Sequence, residues 1–219
     1  GPATQVGSQR VNNGMVTQKR KVIPRATIKP VEDTASGYLR PVIMIGLGQF
    51  GRATLQWIRQ SLHLQFGPKG LPIVRFIPID TCPSPPSVHL ARVNDQEDLL
   101  LMRLNRPARY IRSRDTLPPV EDWLNTNILY RMPRTQETSG IRAFGRLALV
   151  EHYRAFRSRL ERDLKVITET EAQAEAEKLT KATFLAVTPR VYLIGHLGGG
   201  TGSGMLIDCA YMEKKVMRT

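Results

Sequence analysis

Cysteine is almost absent from this chain: Cys82 and Cys209 are its only two among 219 residues. They lie far apart and in unlike settings, which excludes a disulfide framework and a cysteine metal motif. No apolar run approaches the roughly 18 residues that suggest a membrane-spanning helix. The N-terminus lacks a charged segment followed by an apolar one, so no secretory signal is expected and a reducing cytoplasm is the simplest compartment. Acid is scarce: 19 Asp and Glu stand against 32 Lys and Arg, a net charge of +13. Such an excess attracts phosphates, whether in nucleic acid, nucleotide or lipid, or it is simply a solvated surface; charge alone does not choose.

What remains is ordinary globular composition, 41% hydrophobic and 23% charged, which excludes collagen-like, mucin-like and wholly disordered chains. Residues 1–38 read as a disordered basic tail, because their Gly, Pro, Ser, Thr, Asn and Gln show no apolar periodicity that would repay ordering. Residues 39–219 read as one α/β domain. Pro41–Ile45 is a short apolar run suited to a strand buried on both faces. The glycine turn Gly46-Leu47-Gly48-Gln49-Phe50-Gly51 follows, then a helical stripe of Leu55, Ile58 and Leu62. Gly67–Gly70 ends that helix, and a second buried run, Ile73–Ile79, stops at Asp80. A third, Val191–Ile194, enters Gly195–Gly204 and then a helix from Met205. This alternation predicts a doubly wound parallel sheet of Rossmann-like type. Between these, Asn94–Leu104 is expected as a short helix, Asn127–Arg131 as an edge strand, and Arg142 to Ile167 as one long amphipathic helix. The chain stops one helix after a sheet strand, so the domain is expected to be truncated at its C-terminus.

Two glycine loops carry the chemistry. Glycine lets the backbone approach a ligand closely, and the helix that follows offers free N–H groups and a positive dipole end to an anion. Gly46, Gly48 and Gly51 in this spacing are alone only a weak sign of a phosphate site, and the default is a dinucleotide (NAD) fold with Asp80 on the ribose. Gly198-Gly199-Gly200-Thr201-Gly202-Ser203-Gly204 shifts the balance, with five glycines in seven residues. Successive N–H groups there can form an anion nest, and Thr201 and Ser203 add hydroxyl donors. No lysine completes a Walker loop. If the strands ending at Ile45 and Gly195 are neighbours, both loops meet where strand order reverses and together grip a di- or triphosphate.

At these residues the sequence resembles the tubulin/FtsZ superfamily. Gly198–Gly204 matches its signature loop. Gly46–Gly51 is closer to the bacterial tubulin-like domain proteins than to FtsZ's longer glycine run. Asp80-Thr81 matches the second loop, and Gly140-Ile141-Arg142-Ala143-Phe144-Gly145-Arg146 resembles the third. The resemblance implies GTP and GDP binding, Mg²⁺, a head-to-tail homo-oligomeric filament, and hydrolysis using acids from a later loop of the neighbouring subunit. It makes Gln49, Phe50, Asp80, Arg142 and Arg146 nucleotide contacts beside the glycines, and it provides no catalytic residue within this chain.

Several of these residues keep a second reading. Arg142 and Arg146 suit γ-phosphate oxygens or ordinary surface ion pairs. Asp80 suits Mg²⁺ or a strand-end turn. Arg103, Arg106, Arg109, Arg112 and Arg114 are a solvated basic face or a subunit contact rather than a nucleic-acid surface, with Pro107 interrupting their periodicity. The four histidines share no metal-ligand spacing.

Overall fold

The computed structural model describes residues 37–86, 98–112 and 122–217. Four strands form one parallel sheet: β1 (Val42–Leu47), β2 (Val74–Asp80), β3 (Leu100–Leu101) and β4 (Arg190–Gly195). Their spatial order is β3-β2-β1-β4. β1 pairs with β2 from Val42↔Val74 to Leu47↔Ile79, and with β4 from Val42↔Arg190 to Leu47↔Gly195. The first strand is therefore central, as the two-loop argument requires, and strand order reverses between β1 and β4.

The sheet is covered on both faces, because alternate residues of β1 face opposite ways. A Cβ at Gly46 would meet Leu55 of helix α1 (Gly48–Phe66), so α1 lies over that face. Ile43, Ile45 and Leu47 point to the other face and are essentially inaccessible. There they join Ile77 and Ile79, with Phe144 and Leu147 from α3 (Arg142–Glu151), Phe156 and Leu160 from α4 (Tyr153–Thr168), and Met205 and Cys209 from α6 (Gly200–Val216). Helices on both faces and a reversed strand order define a Rossmann-like doubly wound fold.

Helices α3 and α6 approach backbone to backbone. A Cβ on Gly145 would sit 2.3 Å from the carbonyl oxygen of Gly200, and one on Gly204 2.3 Å from that of Arg142. Gly204 is therefore a packing residue at the contact between these helices.

Three expected elements differ. The helix expected over 142–167 is two helices, broken at His152 (φ −96°, ψ 15°). His152 Nε2 bonds the carbonyl of Arg103 at 2.9 Å, and Tyr110 donates to Glu151 at 2.5 Å, so a neighbouring loop holds the break. The polar stretch beyond forms its own helix, α5 (Thr170–Thr180). Residues 98–104 are not helical: Leu100 and Leu101 extend the sheet as β3, and Met102 N–H donates to the Asp80 carbonyl at 2.8 Å. Residues 94–97 of that expected helix lie outside the described residues. Thr126–Arg131 is a 3₁₀ helix rather than an edge strand. The Asn125 side chain caps it by accepting from Asn127 N–H at 3.0 Å, and Leu129 anchors it in the core.

Pro107 does not interrupt the arginine run; it opens α2 (Pro107–Arg112), where its missing N–H costs nothing. Arg103 is bound to the Thr135 carbonyl, and Arg109 reaches Glu151 at 4.0 Å; Arg114 lies outside the described residues. Residues 1–36 of the expected tail also lie outside them, whereas Tyr38 and Leu39 both donate to the Thr183 carbonyl.

Candidate functional site

A cavity of about 730 Å³ opens at the carboxyl ends of β1 and β2, beside the β1–β4 reversal. Its wall includes Gly48, Gln49 and Phe50 from the start of α1, Asp80 to Cys82 from the end of β2, and Gly199 to Gly202 from the start of α6. Two helices thus begin on one cavity. Neither N-terminus has a side-chain cap, and neither has an acid in its first turn. Their orphan N–H groups and dipole ends are left for a ligand or water.

Gly48 needs its glycine, since its φ is +71°, a conformation that L side chains rarely adopt. Gly200 and Gly202 are held by the fold: a Cβ would meet Thr138 Oγ1 at 2.7 Å in one case and the His196 carbonyl at 2.9 Å in the other. Gly199 is different. Its φ is −91°, and the nearest atom to an added Cβ is the His196 carbonyl oxygen, an ordinary contact at 3.7 Å. Nothing in the fold demands glycine there, yet the residue lines the cavity.

Asp80 is the hub of the site. It is 2% exposed, and both of its oxygens are engaged. Oδ2 accepts from Arg52 at 3.2 Å and from Gln49 at 3.0 Å. Oδ1 accepts from Thr81 N–H at 2.8 Å, from Cys82 N–H at 3.3 Å and from the Thr201 hydroxyl at 3.4 Å. Arg52 is fully buried and also donates to the carbonyls of Cys82 (3.0 Å) and Ser84 (2.8 Å). One ion pair therefore ties α1, β2, the following loop and the start of α6 together. The sequence allows Asp80 to contact Mg²⁺ directly or through water; in this structure both of its oxygens are engaged by protein donors, with which a metal-bound water or the ion itself would compete. Among the described residues, no group of three or more His, Cys, Asp or Glu is arranged to hold a metal.

Three threonines floor the cavity. Thr201 Oγ1 lies 3.1 Å from Thr138 Oγ1 and 3.4 Å from Thr81 Oγ1, and Thr138 N–H donates to Thr81 Oγ1 at 3.2 Å. All three are buried. Glu137 lines the cavity with no ion-pair partner among the described residues.

The structure gathers Gly48, Gln49, Phe50, Asp80, Gly199, Gly200, Thr201 and Gly202 on one cavity and leaves the other expected residues off it. Gly46 and Gly51 serve packing: a Cβ on Gly51 would sit 2.5 Å from the Ile194 carbonyl. Gly198 lies in the turn beside the His196 ring. Arg142, Arg146, Ser203 and Gly204 line a separate cavity of about 450 Å³. There Arg146 pairs with Asp208 at 2.9 Å and lies over the Trp123 ring at 4.7 Å, which reserves its guanidinium for the protein. Arg52, Thr138 and Glu137 were not anticipated. Helix α1 carries a second arginine, Arg59, so nothing local marked the first as buried; the other two sit in a loop without a pattern.

A doubly wound sheet with its main cleft at the strand-order reversal is a Rossmann-like nucleotide-fold architecture. Within that class the chain belongs to the tubulin-like family, whose model matches residues 43–219. No curated protein and no solved structure matches it. No helix among the described residues is long and apolar enough to cross a membrane.

Proposed function

We propose that this chain binds a guanosine nucleotide, as a subunit of a tubulin- or FtsZ-like filament. The observation that carries the reading is the pair of uncapped helix N-termini, at Gly48 and Gly200, opening on one cavity of about 730 Å³. Two such ends, with the Thr201 and Thr81 hydroxyls between them, suit the oxygens of a di- or triphosphate. Membership of the tubulin-like family supports guanine as the base and head-to-tail assembly as the context. The dinucleotide alternative needs Asp80 free to accept from a ribose hydroxyl, and Asp80 is already saturated by Arg52, Gln49 and Thr201.

Hydrolysis is a separate matter. Attack of water on a γ-phosphate needs a group to position the water, with donors to stabilise the charge. Asp80 is bound to Arg52, and no other described carboxylate is placed as a base beyond Glu137 at the wall. We assign hydrolysis to residues supplied from outside this chain. Titration with GTP, ATP and NAD is the test: GTP is expected to bind tightest, and the chain alone to release no phosphate above background. Tighter NAD binding would overturn the assignment, and steady turnover independent of protein concentration would place a catalytic group within these residues.

Mg²⁺ arriving with a triphosphate has Glu137, rather than Asp80, as its available protein oxygen. Glu137→Gln is expected to remove most of the Mg²⁺ enhancement of GTP affinity while leaving GTP binding in EDTA unchanged or stronger. Full Mg²⁺ enhancement in the variant would leave the ion on phosphate and water alone.

A further inference from the structure

At the opposite end of the sheet lies a second concave site of different character. A cavity of about 200 Å³ is formed where α1 ends, the Gly67–Gly70 turn crosses and β2 begins. Its wall includes Arg59, His63, Lys69, Arg75 and Arg159, with Asp98 as the single acid. Two of these cations are already committed. Arg59 binds Asp98 at 2.7 Å and lies over the Phe76 ring at 5.0 Å. Arg159 binds Asp163 at 2.7 Å and donates to the carbonyls of Asp98 and Phe76 at 3.1 and 3.2 Å. Asp98 is therefore neutralised where it sits. Lys69 and Arg75 have no ion-pair or hydrogen-bond partner among the described residues, nor does the ring of His63. They come from three different elements: the last turn of α1, the turn after it and the first residues of β2.

Positive charge gathered on one cavity whose single acid, Asp98, is already paired is electrostatically costly, and a multivalent anion relieves it. Arginine offers a planar fork of donors, lysine a point charge, and a cavity of this size admits a tetrahedral oxyanion with ordered water. We propose that this basic cavity binds a terminal phosphate group, through Lys69 and Arg75 with His63 as a further donor. It is independent of the cavity at the other end of β2, which is seven residues and so about 20 Å away. The ligand chemistry is a phosphate dianion, either free or carried as a monoester on a small molecule. A monovalent carboxylate satisfies only one of the two unpaired cations, and a phosphodiester backbone presents single charges spaced along a chain rather than a dianion.

The test is a nuclear magnetic resonance titration of the full chain at constant ionic strength, carried in a Gly199→Val background so that phosphate entering the upper cavity does not contribute. Inorganic phosphate is expected to shift the amides of Gly70 and Leu71 saturably. Adding Lys69→Gln and Arg75→Gln should weaken that binding at least about tenfold without changing the fold, because both side chains are on the surface. Glycerol phosphate binding as tightly as inorganic phosphate assigns the site to monoesters, and binding more weakly assigns it to the free ion; both support the proposal. Linear, unsaturable shifts would reduce the effect to ionic screening and overturn it. So would equal binding by the doubly substituted chain, equal affinity for acetate, or an oligonucleotide that binds these residues where inorganic phosphate does not. Because the readout is local to Gly70 and Leu71, it stands or falls separately from GTP binding at the upper cavity.

Discussion

Gly199→Val is expected to leave the chain folded and to cost at least about a hundredfold in nucleotide affinity. The fold tolerates the change for a specific reason. Gly199 already has an extended φ of −91°, which valine adopts readily, and an added Cβ meets nothing closer than 3.7 Å. The branched side chain then stands in the cavity at the N-cap of α6, where a phosphate must approach the N–H groups that follow. Hydrogen bonds to charged groups contribute roughly 1.5–3 kcal/mol each, so losing two reaches the hundredfold scale. The control is Gly204→Val, which introduces a side chain 2.3 Å from the Arg142 carbonyl and should unfold or severely destabilise the protein. The measurements are the circular dichroism melt of each variant and GTP titration of the folded one. Undiminished GTP binding by folded Gly199→Val would mean that the loop does not touch phosphate.

The contrast between these two glycines shows what the sequence can reveal here. The five glycines of Gly198–Gly204 look alike in sequence and differ in physical role. Gly200, Gly202 and Gly204 are held to glycine by close neighbours, two of them while also lining the cavity, and Gly199 lines the cavity under no such constraint. Spacing cannot separate them, because the neighbours that constrain Gly200 and Gly204, Thr138 and Arg142, come from elsewhere in the chain, and the turn that brings the His196 backbone onto Gly202 has no sequence signature of its own. The strands were legible for the opposite reason: each is a run rich in β-branched and large apolar residues, a local signal, although β4, at the edge of the sheet, is only half-buried and exposes Tyr192. β1, β2 and β4 lie within two residues of where the apolar runs place them, and β1 is central. β3 is two residues long and exists only through pairing with Ile79 and Asp80, so Asn94–Leu104 reads as a helix from sequence. The break at His152 is likewise tertiary. Leu149, Phe156 and Leu160 are buried at seven- and four-residue steps and keep helical spacing through it, while the Arg103 carbonyl and Tyr110 hold the break from a distant loop. Arg146 shows the same limit at the site, since helical position brings it near the phosphate end but Trp123 and Asp208 claim its guanidinium.

Arg52→Met is expected to be the most destabilising single substitution at the site, by about 3–5 kcal/mol. The methionine fills much of the volume of a side chain that is fully buried, so the loss is electrostatic rather than a cavity. It leaves the Asp80 carboxylate 2% exposed with its cationic partner gone, and it strips a donor from the carbonyls of Cys82 and Ser84. Removing one member of a buried pair strands the other charge, whereas removing both can be close to neutral. Arg52→Met with Asp80→Asn should therefore recover most of the lost stability in urea unfolding, with the pair strongly non-additive. Nucleotide affinity should not recover with it. The loop from Cys82 to Ser84 forms one wall of the cavity and is anchored to α1 by Arg52 and Gln49, so the doubly substituted chain is folded with a loosened wall. Stability that stays low in the double variant would show that the carbonyl contacts, and not the ion pair, hold the site. Affinity restored alongside stability would show that the wall does not depend on Arg52.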